Sequence, residues 1–226
     1  MLLSRAPGAV LADISHDIPP GDVRAGAYVL GRSWHAFPAG TVYLAVVDPG
    51  VGGKRAALAV RCEGRFFVGP DNGLFTPVLD RAEELAVLAV PPLASPTFHG
   101  RDLFAPAAAA LAGGSTLRAL GPAPQGALVR LPMSPARRDG GAMIGEVVYI
   151  DRFGTLVTNL TPDAAGAVEI AGVRVPLRRT FSDVAPEQPV AFVGSGGTIE
   201  LAVRGASAAE RFKAYVGLGV RSEGGG

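Results

Sequence analysis

Residues 42–47, Val-Tyr-Leu-Ala-Val-Val, are apolar throughout and run straight into Asp48-Pro-Gly50. A strand with no polar face must be covered on both sides, which layered α/β folds achieve with helices. Further β-type runs at 10–14, 56–60 and 66–68 are separated by glycine- and proline-rich connections and by helical stretches. Asp22 is placed as the N-cap of a helix over residues 23–33. Two more helices are expected over 72–80 and 101–112, the latter with Pro106 in its first turn. The pattern predicts an α/β domain over residues 1–131 with a mostly parallel central sheet.

The character changes after Leu131. Residues 132–142 are polar, turn-rich and aperiodic, and read as a linker. Beyond them come short runs at 144–150, 156–160, 167–170, 173–177, 190–193 and 198–203, with glycine turns between. Such spacing predicts a small all-β, barrel-like domain over residues 143–226. One short helix is expected at 207–212. A ligand cleft is expected between the two domains.

Composition narrows the function classes. Nearly half the residues are hydrophobic, which excludes disorder. No run approaches the roughly 18–20 apolar residues of a spanning helix, so no membrane partner is expected. A net charge of +1 leaves no basic stripe for nucleic acid. Cys62 stands alone, and no Cys/His cluster has zinc spacing, so neither a disulfide nor a metal is expected. Residues 1–8 lack the apolar core of a signal peptide, which makes the cytoplasm the default location.

Four stretches exceed generic scaffold. Val47-Asp-Pro-Gly-Val-Gly-Gly-Lys-Arg55 leaves the carboxyl end of a buried strand, where open α/β sheets bind ligands. It is not a phosphate-binding P-loop, because Asp48 occupies the first glycine position and Arg55 the hydroxyl position. Thr97-Phe-His-Gly-Arg-Asp102 opens the alanine-rich helix, with His99 beside a glycine that lets a ligand approach. Gly69-Pro-Asp-Asn-Gly73 reads as a turn and helix cap. Asp151-Arg-Phe-Gly-Thr-Leu-Val-Thr-Asn159 interrupts the β region with a polar loop, or forms an ordinary hairpin turn. There is no Gly-x-Ser-x-Gly elbow and no dinucleotide fingerprint.

Together with Asp13-Ile-Ser-His-Asp-Ile-Pro-Pro-Gly-Asp22, these motifs stand in an order that resembles the S-adenosyl-L-methionine (SAM) hydroxide adenosyltransferases. Those enzymes are hydrolytic relatives of the SAM-dependent fluorinase and chlorinase. The resemblance implies hydrolysis of SAM to adenosine and L-methionine, with SAM as substrate and no cofactor. It also implies a homotrimer with the site between subunits. An Asp–Arg–His constellation around the attacking water falls on Asp48, Arg55 and His99. Asp151 matches the carboxylate that holds the methionine ammonium, and Ser195 a serine near the amino-acid end. Thr155 stands where the family usually has an adenine-reading asparagine. Phe98, Gly100 and Phe153 line the ligand by the same analogy, although core packing suits either aromatic equally well.

Two departures follow from the same resemblance. Family members open with a strand, a Thr-Asp-Phe-Gly-like segment and a helix, and a carboxylate there holds the ribose hydroxyls. Here that strand and its carboxylate are expected to be missing, through a late-assigned start codon or through decay. Residues 220–226 are expected to replace the family's last strand. Halogenation is the alternative chemistry, and non-catalytic SAM or adenosine binding the alternative class. A carboxylate at position 48 would repel a halide, so Asp48 favours water as the nucleophile.

Overall fold

The structure, a computed structural model, describes residues 1–162 and 166–223. The chain folds as two compact units, residues 1–132 and 133–226.

The first unit begins with a short helix α1 (Leu2–Arg5) and an irregular stretch. Residues 10–14 were expected as a strand but have no strand partner, and Val10 is 95% exposed. An apolar run without a neighbouring backbone to pair with has nothing to hold it extended. Helix α2 (Val23–Ser33) starts where expected: the Asp22 carboxylate accepts the Ala25 N–H at 2.8 Å. Such a cap contributes about 1 kcal/mol. There follow β1 (Val42–Leu44), β2 (Ala57–Cys62), β3 (Arg65–Pro70), α3 (Thr76–Leu79) and β4 (Ala82–Val87). Residues Gly100–Phe104 form one π-helical turn that runs directly into α4 (Ala105–Ala112), and α5 (Leu117–Leu120) follows.

The sheet has the order β1-β3-β2-β4, and its mixed character corrects the expectation of a mostly parallel one. Only β1 and β3 are parallel, while β2 runs antiparallel to both β3 and β4. The cause lies in the turn between β2 and β3. Glu63 and Gly64 both have positive φ, 47° and 71°, as a two-residue hairpin requires. Two residues cannot make the crossover of a dozen or more that parallel strands need.

Both faces of this sheet are nevertheless covered. Ala57 and Ala59 of β2 pack with Phe104, Ala108 and Leu111, whereas Leu58 and Val60 pack with Leu30, Trp34 and Phe67. Each large side chain fully buried in this way contributes roughly 1.5–3 kcal/mol. Helix α3 is shorter than expected because Leu74 N–H is captured by the Asn72 side chain, at 3.2 Å, and Pro77 opens the helix.

The second unit is an antiparallel sheet built from β5 (Arg137–Asp139), β6 (Ala142–Ile150), β7 (Leu156–Thr158), β8 (Ala167–Ile170), β9 (Val173–Pro176), β10 (Pro189–Val193), β11 (Ile199–Val203) and β12 (Gly219–Ser222). Helix α6 (Ala208–Phe212) precedes β12 and is capped by Ser207. The order is β10-β11-β7-β6-β12-β8-β9, with β5 on β6. A bond from Arg178 N–H to Ala191 O, 2.8 Å, joins the two ends and nearly closes the barrel. Val147, Leu156, Ile170 and Leu201 fill its core.

Two sequence expectations are overturned in this unit. The stretch read as linker contains β5, which folds back on β6 through Gly140 and Gly141. Residues 219–222 do form a last strand, pairing with both β6 and β8.

Candidate active site

Strands β1 and β3 run parallel and therefore end at the same edge of the first sheet, where the antiparallel β2 begins. The chain leaves β1 at this edge, passes over the end of β3 and enters β2. Asp48 and Arg55 stand at the two ends of that loop. A fully parallel sheet would have sent β2 off from the opposite edge and taken Arg55 with it. The mixed topology is what makes the pair.

Arg55 Nε donates to Asp48 Oδ1 at 2.9 Å, and Arg55 Nη2 donates to Asp48 Oδ2. This two-pronged geometry matches a planar guanidinium to a carboxylate. The side chains are 10% and 5% exposed, so water screens the pair little. The same Nη2 donates to His99 Nδ1 at 2.9 Å. Arginine has no acceptor, so in this contact Nδ1 accepts and the imidazole proton sits on Nε2. His99, itself buried, therefore presents an N–H donor on its far side.

The π turn positions both partners of Arg55 that come from the second half of the unit. His99 precedes it and Phe104 ends it, with the Arg55 guanidinium 5.1 Å from the Phe104 ring centroid. Widened turns of this kind recur at functional sites because they re-aim side chains. Asp102, within the turn, accepts from Arg101 Nε at 2.6 Å and from Ser95 N–H at 2.9 Å. Those two bonds, Arg101's the larger, hold its carboxyl down to about 2. A cavity of 1270 Å³ runs along the unpaired edge of β1 and reaches Asp48, with mostly apolar walls. Among the described residues, no group of three or more His, Cys, Asp or Glu is arranged to hold a metal ion. No described helix is long and apolar enough to cross a membrane.

Of the other expected ligand residues, Phe98 and Gly100 flank His99. Phe98 is 55% exposed, with the Arg101 guanidinium 4.9 Å from its ring. The remaining four lie in the second unit. Asp151 Oδ1 accepts the N–H groups of Phe153 and Thr155, at 2.9 and 2.8 Å, in the turn between β6 and β7. Phe153 points outward at 67% exposure, while Thr155 is buried. Ser195 sits exposed in the turn between β10 and β11.

Comparison with known proteins decides the family. The profile of the SAM hydroxide adenosyltransferase N-terminal domain matches residues 1–121, and that of the C-terminal domain matches residues 145–221. The chain belongs to the SAM hydroxide adenosyltransferase family. It is 45% identical to an (R)-S-adenosyl-L-methionine hydrolase of Thermus thermophilus over 98% of this chain and 91% of that protein. A second protein of that name, from Salinispora arenicola, is 42% identical over 93% and 85% of the two chains. A conserved protein from Thermotoga maritima, solved by crystallography, superposes with a TM-score of 0.88 at 30% identity, covering 98% and 91%. A fluorinase of Actinoplanes stands further off, at 28% identity over 97% and 89%.

Three further residues touch the site's frame yet carried little signal of it in the sequence. Phe104 gave no signal beyond helical hydrophobicity. Asp102 is marked only by its neighbour Arg101. Asn72 lies in the Gly69–Gly73 stretch, read as a turn, yet its amide Nδ2 donates to Val47 O at 2.8 Å. The density of turn formers after an apolar strand was the available signal.

Proposed function

We propose that this chain hydrolyses SAM to adenosine and L-methionine. The observation that carries the reading is the hydrogen-bonded series Asp48–Arg55–His99, with Arg55 at its centre, nearly buried at the carboxyl edge of the sheet. Relatives 41–45% identical that bear the hydrolase name support it.

The chemistry asks little of the leaving group. Water oxygen bonds to the ribose C5′, the C5′–S bond breaks, and its electron pair passes to sulfur, releasing neutral methionine. No acid is required. The demand falls on the nucleophile, since water has a pKa of about 15.7. Asp48 Oδ2 takes both Nε and Nη2 of Arg55, whereas Oδ1 takes Nε alone and keeps a lone pair for the proton that water sheds. General-base help of this kind is worth roughly 10²–10⁴-fold. Arg55 holds the carboxylate in a single orientation. His99 donates from Nε2 to the attacking oxygen and leaves its other lone pair for carbon. Alignment of that water behind C5′ supplies much of the remaining acceleration.

Substrate is held, in this reading, by Asp151 at the methionine ammonium, Ser195 at the amino-acid end, Thr155 at the adenine, and Phe98, Gly100 and Phe153 against the ligand. The active form is a homotrimer in the cytoplasm with SAM between neighbouring subunits. Exposed Phe98 and Phe153 support the trimer, since each leaves apolar surface for a neighbour to cover. Light scattering should then return three times 23.0 kDa.

Purified protein incubated with SAM in oxygen-18 water is expected to yield adenosine labelled at the 5′-hydroxyl. Unlabelled adenosine, or no adenosine, would overturn the reading. A 5′-halo-5′-deoxyadenosine formed with chloride or fluoride would replace it with halogenation.

A further inference from the structure

The loop that carries Asp48 and Arg55 crosses the end of β3, and that end grips it at both flanks. On one flank, Asn72 Nδ2 donates to the carbonyl of Val47, the residue before Asp48, at 2.8 Å. On the other, Asp71 N–H donates to the carbonyl of Ala56, the residue after Arg55, at 2.9 Å. The grip is itself braced. Asn72 Oδ1 accepts Leu74 N–H at 3.2 Å, and Asp71 Oδ1 accepts Val129 N–H at 3.0 Å. A carbonyl on one side and an N–H on the other leave the Asn72 amide only one orientation that satisfies both. Gly69, four residues from the end of the motif, lets this frame close. A Cβ there would stand 2.1 Å from Ala45 O of the neighbouring chain segment.

We infer that Asp71 and Asn72 are a two-point clamp, with Asn72 the positioning residue that sets Asp48 against Arg55. The inference rests on the proposed hydrolysis for its kinetic reading, but not for its geometry. Neither residue touches the Asp48 carboxylate. They fix the peptide group that leads into Asp48 and the one that lies a residue beyond Arg55. A misplacement of about 1 Å in such a site can cost roughly 10²-fold in rate.

Asn72→Asp is the sharpest test because it keeps the shape and the Leu74 contact, and turns the Val47 donor into an oxygen facing an oxygen. With SAM as substrate, kcat is expected to fall at least tenfold while KM stays within about threefold, since substrate groups are untouched. Asn72→Ala removes the donor without adding charge and should show the same split. The second readout needs no turnover. In proton–nitrogen NMR of the full chain, the Arg55 Nε–H bonded to Asp48 should give a protected signal that either variant shifts or loses. The indole N–H of Trp34, the chain's one tryptophan, reports whether the fold is intact.

Loss of the Arg55 signal with Trp34 unchanged supports the clamp. An unchanged Arg55 signal in a folded variant, or equal loss in kcat and gain in KM, overturns it. If wild-type protein binds SAM without cleaving it, hydrolysis fails and the Arg55 signal still decides the clamp.

Discussion

The Asp48–Arg55–His99 cluster and the Asp151 turn are both polar sites at strand ends, but they are built differently. The Asp151 turn closes on itself: one carboxylate oxygen takes two N–H groups no more than four residues away. The cluster joins groups 44 residues apart and depends on strand order, strand direction and a π turn. A local turn persists wherever its own residues persist. A convergent site is only as accurate as its frame, so its failures should appear in rate rather than in binding.

The largest effect expected is from Asp48→Ala. It removes the proton acceptor and should cost roughly 10²–10⁴-fold in kcat, with SAM affinity by calorimetry nearly unchanged. It also strands the Arg55 guanidinium, at 10% exposure, without its counter-charge. Unpaired buried charge of this kind costs about 3 kcal/mol, which chemical denaturation should detect. A tenfold rise in Kd with kcat retained would place Asp48 with the binding residues and erase the contrast.

His99→Ala comes next, with an expected loss of roughly 10²-fold in kcat. His99→Gln tests the donor directly, because a glutamine can replace one N–H but cannot move a proton. If the glutamine variant keeps more than a tenth of wild-type kcat, donation suffices. Activity no better than alanine's would assign His99 a proton-transfer role.

The Asp151 turn should fail in the other direction. Asp151→Asn keeps an oxygen for the two N–H groups, and so keeps the turn, while deleting the charge. KM should rise about tenfold, the worth of one charge-assisted bond, with kcat within twofold. Asp151→Ala also removes both turn bonds, at about 1 kcal/mol each, and should lower Tm as well. Equal stability of the two variants would mean the turn does not need its own carboxylate.

The same contrast explains what could be read from the chain. Helix α2 was legible to the residue because Asp22 and the apolar face of residues 23–33 lie within one short segment. Strands 167–170 and 190–193 were legible for the same reason. Strand direction was not, because alternating strands and helices suggest crossovers while two residues, Glu63 and Gly64, enforce a hairpin. Residues 10–14 have strand composition but lack a partner strand, a fact about the rest of the sheet. At the site, motif order brought Asp48, Arg55 and His99 to notice. Asn72 escaped because its amide acts on another segment's carbonyl, and spacing along the chain carries no trace of that.

The smallest expected effects concern stability against pH, where two carboxyls beside these sites have opposite signs. Asp102 titrates at about 2 in the fold against an ordinary 3.8, because its ionised form is held first by Arg101 and then by Ser95 N–H. Its contribution is complete above about pH 5 and is lost as pH falls from 4 towards 2. Asp71 is pushed up instead, by burial that the Val129 N–H only partly offsets. Its ionised form is disfavoured in the fold, so it costs nothing below pH 3.8 and lowers stability as pH rises above that value. Asp102→Asn should therefore lower Tm at pH 7, with the deficit shrinking steeply as pH falls from 4 to 2. High salt should shrink the same deficit, since this pair is exposed to solvent. Asp71→Asn retains an oxygen for Val129 and should raise Tm at pH 7, with no difference at pH 3. Melts of both variants from pH 2 to 7 should diverge from wild type in opposite directions. Parallel curves would mean that neither carboxyl feels its surroundings as the geometry requires.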